Sequence, residues 1–105
     1  MKYMIRGSYT SEGIHGLLKE GGTSRRQHFA ENVQALGGSV EAYYYALGDD
    51  DLFAIVDVPS QVDVVALATQ ISAGWAFVAK TIALVTPEEI DQAAKKDIGY
   101  RPPGA

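Results

Sequence analysis

The chain contains no cysteine, no long apolar run and no concentrated basic segment. Without cysteine it can form neither disulfides nor zinc–thiolate sites, and thiolate catalysis is excluded. No apolar run approaches the roughly 20 residues of a membrane-spanning helix, and the N-terminal segment lacks the apolar core of a signal peptide. A net charge of −4 argues against nucleic-acid binding, which needs a basic face. We therefore expect a cytoplasmic protein with no nucleic-acid or membrane partner.

The length and composition fit one globular domain. The chain has 105 residues, of which 47% are hydrophobic and 21% charged, so it can bury a modest core. The final residues include Gly99 and Pro102-Pro103, which disfavour a helix. We therefore expect one domain over residues 1–96 and a non-helical tail over residues 97–105.

The pattern of apolar residues predicts four strands and three helical regions. Capping signals favour helix starts at Thr10 or Ser11 and at Thr86, and Gly21-Gly22 should break the first helix before a restart at Thr23 or Ser24. Strands are expected over residues 2–9, 39–47, 52–58 and 75–85. The order β-α-β-β-α-β-α predicts a ferredoxin-like α+β sandwich with a four-stranded antiparallel sheet, helices on one face and a further C-terminal helix.

Apolar residues occupy both faces of the predicted strands, whereas a sheet with one face in water should alternate apolar and polar residues. In the third strand Leu52, Ala54 and Val56 form one face, while Phe53 and Ile55 lie on the other. The second strand should place Tyr43, Tyr45 and Leu47 opposite Val40, Ala42 and Tyr44. An apolar second face needs a cover, so we expect a homo-oligomer in which two copies pack sheet to sheet about a two-fold axis. The alternative is a monomer whose tail folds over the sheet.

Several segments resemble one known family. The stretch from Gly37-Gly38 to Tyr43, then Gly48-Asp49-Asp50-Asp51-Leu52 and a strand ending at Pro59, resembles the GYD-domain family. The other matching segments are Tyr9-Thr10, Gly13-Ile14, Arg25 upstream of the double glycine, and Thr81-Ile82 before Thr86-Pro87-Glu88-Glu89. The resemblance covers residues 3–95, and it departs at the turn, where Asp50 replaces the family's tyrosine.

The resemblance implies a ferredoxin-like fold related to the dimeric α/β-barrel proteins, and it implies no known activity. Ligands of that wider group sit between sheet and helices, which points to a pocket there for a flat hydrophobic molecule. The polar candidates for such a pocket are Tyr9, His15, Arg25 and Tyr44. Arg25 flanks an apolar helix stripe and can place its charged end at a pocket rim. No cofactor is expected.

The turn Asp49-Asp50-Asp51 offers oxygen ligands of the kind that hard cations prefer. Consecutive carboxylates on a hairpin rarely converge on one ion, so we expect no metal site. Asp51 should instead accept hydrogen bonds from backbone amides, and it is a further ligand-binding candidate. The two histidines are His15, at the edge of an apolar helix stripe, and His28, off the next stripe. Of these, His15 is the better candidate for acid–base chemistry.

Arg6 and Lys80 lie within otherwise apolar strands, where a charge needs a partner or a wet cavity. They belong to the first and fourth strands, which we expect not to be neighbours. Glu41 and Asp57 are the candidate partners. A salt bridge at an oligomer interface and an anion anchor inside a pocket are the two interpretations of these charges.

Three functions stay open. The leading one is a GYD-domain protein that binds a small hydrophobic molecule as a homodimer or larger homo-oligomer, between sheet and helices or at the subunit interface. The second is a cofactor-free enzyme similar to the monooxygenases and isomerases of the dimeric α/β-barrel group, acting on an aromatic or hydrophobic substrate. The third is a structural or regulatory module whose apolar face serves assembly alone. A histidine with a shifted pKa inside a cavity would favour the enzyme, and a structure without a cavity would favour the module.

Overall fold

Four strands and four helices follow one another in the computed structural model, which describes residues 1–105. The strands β1 to β4 span Lys2–Tyr9, Ser39–Tyr45, Leu52–Asp57 and Phe77–Leu84. The helices α1 to α4 span Ser11–Glu20, Gly22–Ala35, Gln61–Ala73 and Pro87–Ala94. No helix is both long and apolar enough to cross a bilayer.

The strands form one antiparallel sheet in the order β2-β3-β1-β4. This is the ferredoxin-like α+β fold, so the predicted fold class is confirmed. The expectation that the first and fourth strands are not neighbours is wrong. The crossover through α3 carries the chain past β1 to its free edge, and Arg6 therefore lies directly opposite Lys80.

Side-chain caps fix the starts of α1, α3 and α4, and at α3 the Asp63 carboxylate accepts a hydrogen bond of 3.0 Å from the Ser60 amide. The Oγ1 of Thr10 accepts a hydrogen bond of 3.1 Å from the Gly13 amide at the start of α1. At α4 the Thr86 hydroxyl accepts from the Glu89 amide at 3.1 Å, and the Glu89 carboxylate accepts from the Thr86 amide at 2.9 Å. These contacts confirm the predicted starts at Thr10 and Thr86.

Glycine separates α1 from α2. Helix α1 ends at Glu20, and Gly21 adopts φ = 92°, a left-handed value that favours glycine. The predicted break at Gly21-Gly22 is confirmed. Helix α2 begins at Gly22, just before the predicted restart at Thr23 or Ser24, and it has no side-chain cap.

Three strands are shorter than predicted. Strand β2 ends at Tyr45, β3 ends at Asp57, and β4 begins at Phe77 rather than at Trp75. The carbonyl oxygens of Trp75 and Ala76 accept hydrogen bonds from the hydroxyl and the amide of Thr10, both at 2.9 Å. Because these carbonyl oxygens accept hydrogen bonds from the start of α1, the strand hydrogen bonds of β4 begin only at Phe77.

A β-bulge after Val40 changes which side chains of β2 face the helices. Val40 lies opposite Val56 and Tyr43 opposite Ala54, and both partners are fully buried on the helix side. The prediction that placed Val40 and Tyr43 on opposite faces is therefore wrong, because the extra residue reverses the alternation. Tyr44 consequently faces away from the helices.

The hydrophobic core lies between the sheet and helices α2 and α3. Val33 of α2 and Leu67 of α3 pack with Ile5 and Val56 of the sheet. Burying each such side chain contributes about 1.5–3 kcal/mol. Helix α1 buries only Gly13, so it lies over the sheet without filling the space beneath it.

The sheet face away from the helices has no cover within the single chain. The strand register aligns an apolar row across all four strands, consisting of Ala42, Ile55, Met4 and Ile82. The neighbouring row consists of Tyr44, Phe53, Arg6 and Lys80. We call these eight residues the open face. All of them are exposed or half-buried.

The chain ends in a C-terminal arm, residues 85–105, which extends away from the sheet and the other helices. Helix α4 buries none of its residues, and Ile90 is 57% exposed. The radius of gyration is 17.0 Å, against about 13 Å for a compact chain of this length. The arm therefore gives the single chain an elongated shape.

Candidate functional site

A cavity of about 300 Å³ opens between α1, α2 and the sheet. Ile5 of β1 and Leu52 of β3 are part of its lining, which contains 16 residues, 10 of them hydrophobic. The cavity exists because α1 places no apolar side chain into the core below it. A volume of about 300 Å³ is at the lower end of the range for small-molecule sites.

Aromatic side chains supply much of the cavity wall. Tyr9 and Phe77, paired residues of β1 and β4, make an edge-to-face contact with ring centroids 4.9 Å apart. Phe29 of α2 and Tyr43 of β2 have ring centroids 5.4 Å apart. Trp75, between α3 and β4, also lines the cavity. Ring faces and edges in this arrangement suit a flat apolar molecule.

Two glycines of α1 determine the roof of the cavity. A Cβ on Gly13 would lie 2.0 Å from the carbonyl oxygen of Ala76, so only glycine allows this approach. Gly16, about one turn later, also lines the cavity, and a Cβ there would meet nothing within 4 Å. The space below Gly16 is therefore open.

Charged side chains lie at the cavity rim. Arg25 of α2 pairs with Glu20 of α1, with 3.5 Å between Nη1 and Oε2. Both side chains are substantially exposed, and such pairs contribute no more than about 1 kcal/mol. Arg25 can therefore leave Glu20 for an anionic group at small cost. Glu12 lies at the same rim without a salt-bridge partner.

The two tyrosines of the cavity are neutral phenols. Burial raises the pKa of Tyr43, and hydrogen bonding with the Tyr45 side chain raises it further. Burial is also the main cause of the raised pKa of Tyr9, partly offset by hydrogen bonding with the Tyr43 side chain. Around neutral pH both hydroxyls are available to a ligand as hydrogen-bond donors and acceptors.

The model of the GYD domain matches residues 3–94 of the 105-residue chain. The chain belongs to the GYD-domain family. Neither the curated proteins nor the solved structures include a significant match. The matched residues contain the cavity lining and the open face, so both lie within the GYD domain of this chain.

The GYD domain brings Tyr9 and Arg25 to the cavity, as expected from the sequence. Asp51 does not line the cavity. Its Oδ2 accepts a hydrogen bond of 2.9 Å from the amide of Tyr9, which does. The predicted bond between Asp51 and a backbone amide is confirmed.

His15 and Tyr44 do not line this cavity, which corrects the expected set of residues. His15 is exposed, because the side of α1 that carries Gly13 and Gly16 faces the sheet and the cavity. Tyr44 is 72% exposed on the open face, because the β2 bulge turns Tyr43 toward the helices.

Sequence reasoning did not include Tyr43 among the polar candidates of the site, and it did not expect the glycine pair there. Tyr43 lines the cavity where Tyr44 was expected. Which of the two tyrosines faces the helices cannot be decided without knowing the β2 bulge. Gly13 and Gly16 carried a usable signal, since their spacing of three residues puts both on one side of a helix. The aromatic content of the strands allowed Trp75 to line a pocket, but its place depends on the contacts between Thr10 and the segment before β4.

The aspartates of the β2–β3 turn have separate partners in this GYD domain. Asp50, only 12% exposed, forms a salt bridge with Arg6 at 3.5 Å between Oδ2 and Nη1. Asp51 accepts from the Tyr9 amide, and Asp49 is exposed. Nowhere in the chain do three or more His, Asp or Glu side chains converge in a way suited to a metal ion. Asp50, which replaces the tyrosine of the family pattern, thus holds a charge on the open face.

The carboxylates expected to pair with Arg6 or Lys80 pair with Lys2 instead. The Lys2 Nζ contacts a carboxylate oxygen of Glu41 and lies 3.2 Å from the Oδ2 of Asp57. Hydrogen bonds to Glu41 and then to Asp57 raise the pKa of Lys2. Lys80 has no carboxylate partner.

Proposed function

We propose that this GYD protein binds a small, flat and mostly apolar molecule in the cavity between α1, α2 and the sheet. The observation that carries the proposal is the open space under Gly16, bounded by aromatic walls. Glycine inside a helix costs about 0.5–1 kcal/mol relative to alanine. The chain accepts that cost at a position where a side chain would have entered the cavity.

The polar groups of the cavity suggest the polar end of the ligand. The hydroxyls of Tyr9 and Tyr43 are neutral donors beside the aromatic wall. Arg25 sits at the rim in a weak, exposed salt bridge and can turn to an anion. We therefore propose an aromatic or similarly flat molecule with one hydroxyl, carbonyl or carboxylate group.

Binding has more support than catalysis at this site. A histidine with a shifted pKa inside the cavity would have favoured the enzyme alternative, and His15 lies outside the cavity. Tyr9 and Tyr43 both have raised pKa values and cannot act as bases near neutral pH. The ligand-binding proposal needs neither group to ionise.

The proposal includes a homo-oligomer in which a second copy covers the open face. The row of Met4, Ile55 and Ile82 leaves an apolar stripe without a cover. Contiguous exposed apolar patches commonly mark interfaces. The tail does not fold over the sheet, since the arm extends away from it, and this argues against the monomer alternative.

Intrinsic fluorescence tests the cavity directly, because Trp75 is the only tryptophan and lines it. The probe is 8-anilino-1-naphthalenesulfonate, an aromatic anion whose absorption overlaps the emission of tryptophan. At about 0.3 kcal/mol per non-hydrogen atom, we expect a dissociation constant of roughly 10–100 µM. Binding in the cavity should quench Trp75 and excite the probe by energy transfer.

Gly16→Leu and Gly16→Ala form a matched pair for this titration. Leucine should fill the cavity and weaken probe binding at least tenfold, whereas alanine leaves most of the space and should change binding less than threefold. Tyr44→Ser controls for binding at the open face and should leave the titration unchanged. Probe binding that is lost in Tyr44→Ser and kept in Gly16→Leu would overturn the proposed cavity site.

A further inference from the structure

The C-terminal arm is ordered without anything to pack against. Helix α4 has eight residues and buries none of them. Isolated helices shorter than about 12–15 residues are marginal in water, and most helices in proteins gain their stability from packing an apolar face. Helix α4 has such a face, because Ile90, Ala93 and Ala94 follow the spacing i, i+3, i+4.

The surface area of the chain shows how much a partner could cover. The single chain exposes 7356 Å², whereas a compact monomer of 11.3 kDa exposes about 5,700 Å². The excess is about 1,600 Å², and a standard interface covers about 800 Å² on each partner. The chain thus exposes enough additional surface for a stable dimer.

The charges of α4 are arranged around its apolar stripe. At 100° per residue, Glu89 and Asp91 flank Ile90 on either side, and Glu88 lies on the far side of the helix. Helix α4 contains no basic residue. Its apolar stripe is therefore bordered by negative charge.

The open face carries the complementary charge. Arg6 and Lys80 lie directly opposite each other on neighbouring strands, and like charges in that position are destabilising. The carboxylate of Asp50, with its Oδ2 3.5 Å from the Arg6 Nη1, offsets part of this repulsion. The Arg6 Nε is nevertheless buried without a hydrogen-bond partner. Two sheets packed face to face would bring two such basic pairs together in an apolar interface. A cover that supplies carboxylates fits this face better.

We infer that α4 of one copy lies on the open face of a second copy, with its apolar stripe on the row of Met4, Ile55 and Ile82 and its acidic border beside Arg6 and Lys80. With a two-fold axis between the copies, each copy places its α4 on the open face of the other. This exchange of helices forms a closed dimer. This inference rests on the proposed homo-oligomer and names the element that makes the contact. It replaces the sheet-to-sheet arrangement expected from the sequence.

Sedimentation velocity of the full chain from 1 to 100 µM tests the exchange. The wild type should sediment as a dimer, and Ile90→Asp should weaken the dimer at least tenfold without changing the thermal unfolding of the monomer, because Ile90 has no partner within its own chain. Val62→Asp is the matched control, since Val62 is also exposed, on α3. A wild-type dimer that Ile90→Asp leaves intact would overturn the exchange and leave the homo-oligomer standing. A monomeric wild type would overturn both, whereas the titration of the cavity stands apart from either result.

A charge exchange tests where the acidic border lies. Lys80→Glu and Asp91→Lys should each weaken the dimer several-fold, and the double variant should recover most of the loss. Glu88→Lys changes the same charge on the far side of α4 and should leave the dimer as it is. Equal effects of Asp91→Lys and Glu88→Lys would contradict the proposed orientation of α4.

Discussion

The carboxylate of Asp51 holds the backbone of Tyr9 by a hydrogen bond of 2.9 Å from the Tyr9 amide. The amide of Asp51 in turn donates to the carbonyl oxygen of Gly7 at 2.8 Å. The β2–β3 turn is thus fastened to β1 at two points, just where Tyr9 enters the cavity. Asp51 positions a cavity residue without reaching the cavity itself.

Replacing Asp51 should therefore destabilise the fold. Asp51→Ala leaves the Tyr9 amide without its charged acceptor and should lower the free energy of unfolding by about 1–2 kcal/mol. Asp51→Asn keeps an acceptor oxygen and should lose less. Urea unfolding followed by circular dichroism measures both, with exposed Asp49→Ala as the control. A wild-type midpoint for Asp51→Ala would show that the bond contributes nothing.

The two glycines of α1 should respond in opposite directions to alanine. Gly13→Ala places a Cβ 2.0 Å from the Ala76 carbonyl oxygen, so α1 must shift and the melting temperature should fall. Gly16→Ala meets no atom and should stabilise by about 0.5–1 kcal/mol through helix propensity. Differential scanning calorimetry of both variants makes the comparison. Equal shifts would mean that the approach of α1 to Ala76 is not a tight contact.

Because of Tyr43, the free energy of unfolding should decrease at high pH. Its pKa is raised in the folded protein, mainly by burial, so the unfolded chain loses that proton first. The stabilisation is complete below the ordinary tyrosine pKa of 10.0 and declines as pH rises above it. Melting temperatures between pH 8 and 11.5 should fall more steeply for the wild type than for Tyr43→Phe. Parallel curves would contradict this assignment, and exposed Tyr44→Phe serves as the control.

Helix α4 should lose its cap in acid. Hydrogen bonds from Thr86, its backbone amide first, hold the pKa of Glu89 below the usual 4.5. The capping interaction is therefore complete above pH 4.5 and is lost as pH falls through the lowered pKa. Amide chemical shifts of α4, followed from pH 7 to 2.5 by NMR, should move toward coil values in the wild type. In Glu89→Gln they should change little over that range, and an identical acid transition there would assign it to another group.

The element order was predictable because its signals are local. Thr10 and Thr86 mark helix starts, and Gly21-Gly22 separates two helices. Apolar residues at successive positions such as Phe53 and Ala54 correctly indicated a sheet with two apolar faces. Only the hydrogen bonds between distant segments settle which strands are neighbours.

The cavity was only partly predictable, because its members depend on register and on close approach. Tyr9 and Arg25 followed from the family resemblance, but a single unpaired residue in β2 decides between Tyr43 and Tyr44. His15 lies outside the cavity because the contact of Gly13 with Ala76 sets the orientation of α1, and that contact joins segments far apart in the chain. No periodicity in the sequence encodes that contact.

The contact between Thr10 and Trp75 spans 65 residues, and it affects when the site can form during synthesis. Strands β1 and β3 and the core residues Val33 and Val56 all precede Trp75 in the chain and are synthesised before it. The wall from Trp75 to Phe77 arrives only with the last third of the chain, and pairings over such separations form late. The cavity between α1, α2 and the sheet therefore cannot be complete until the last third of the chain has been synthesised.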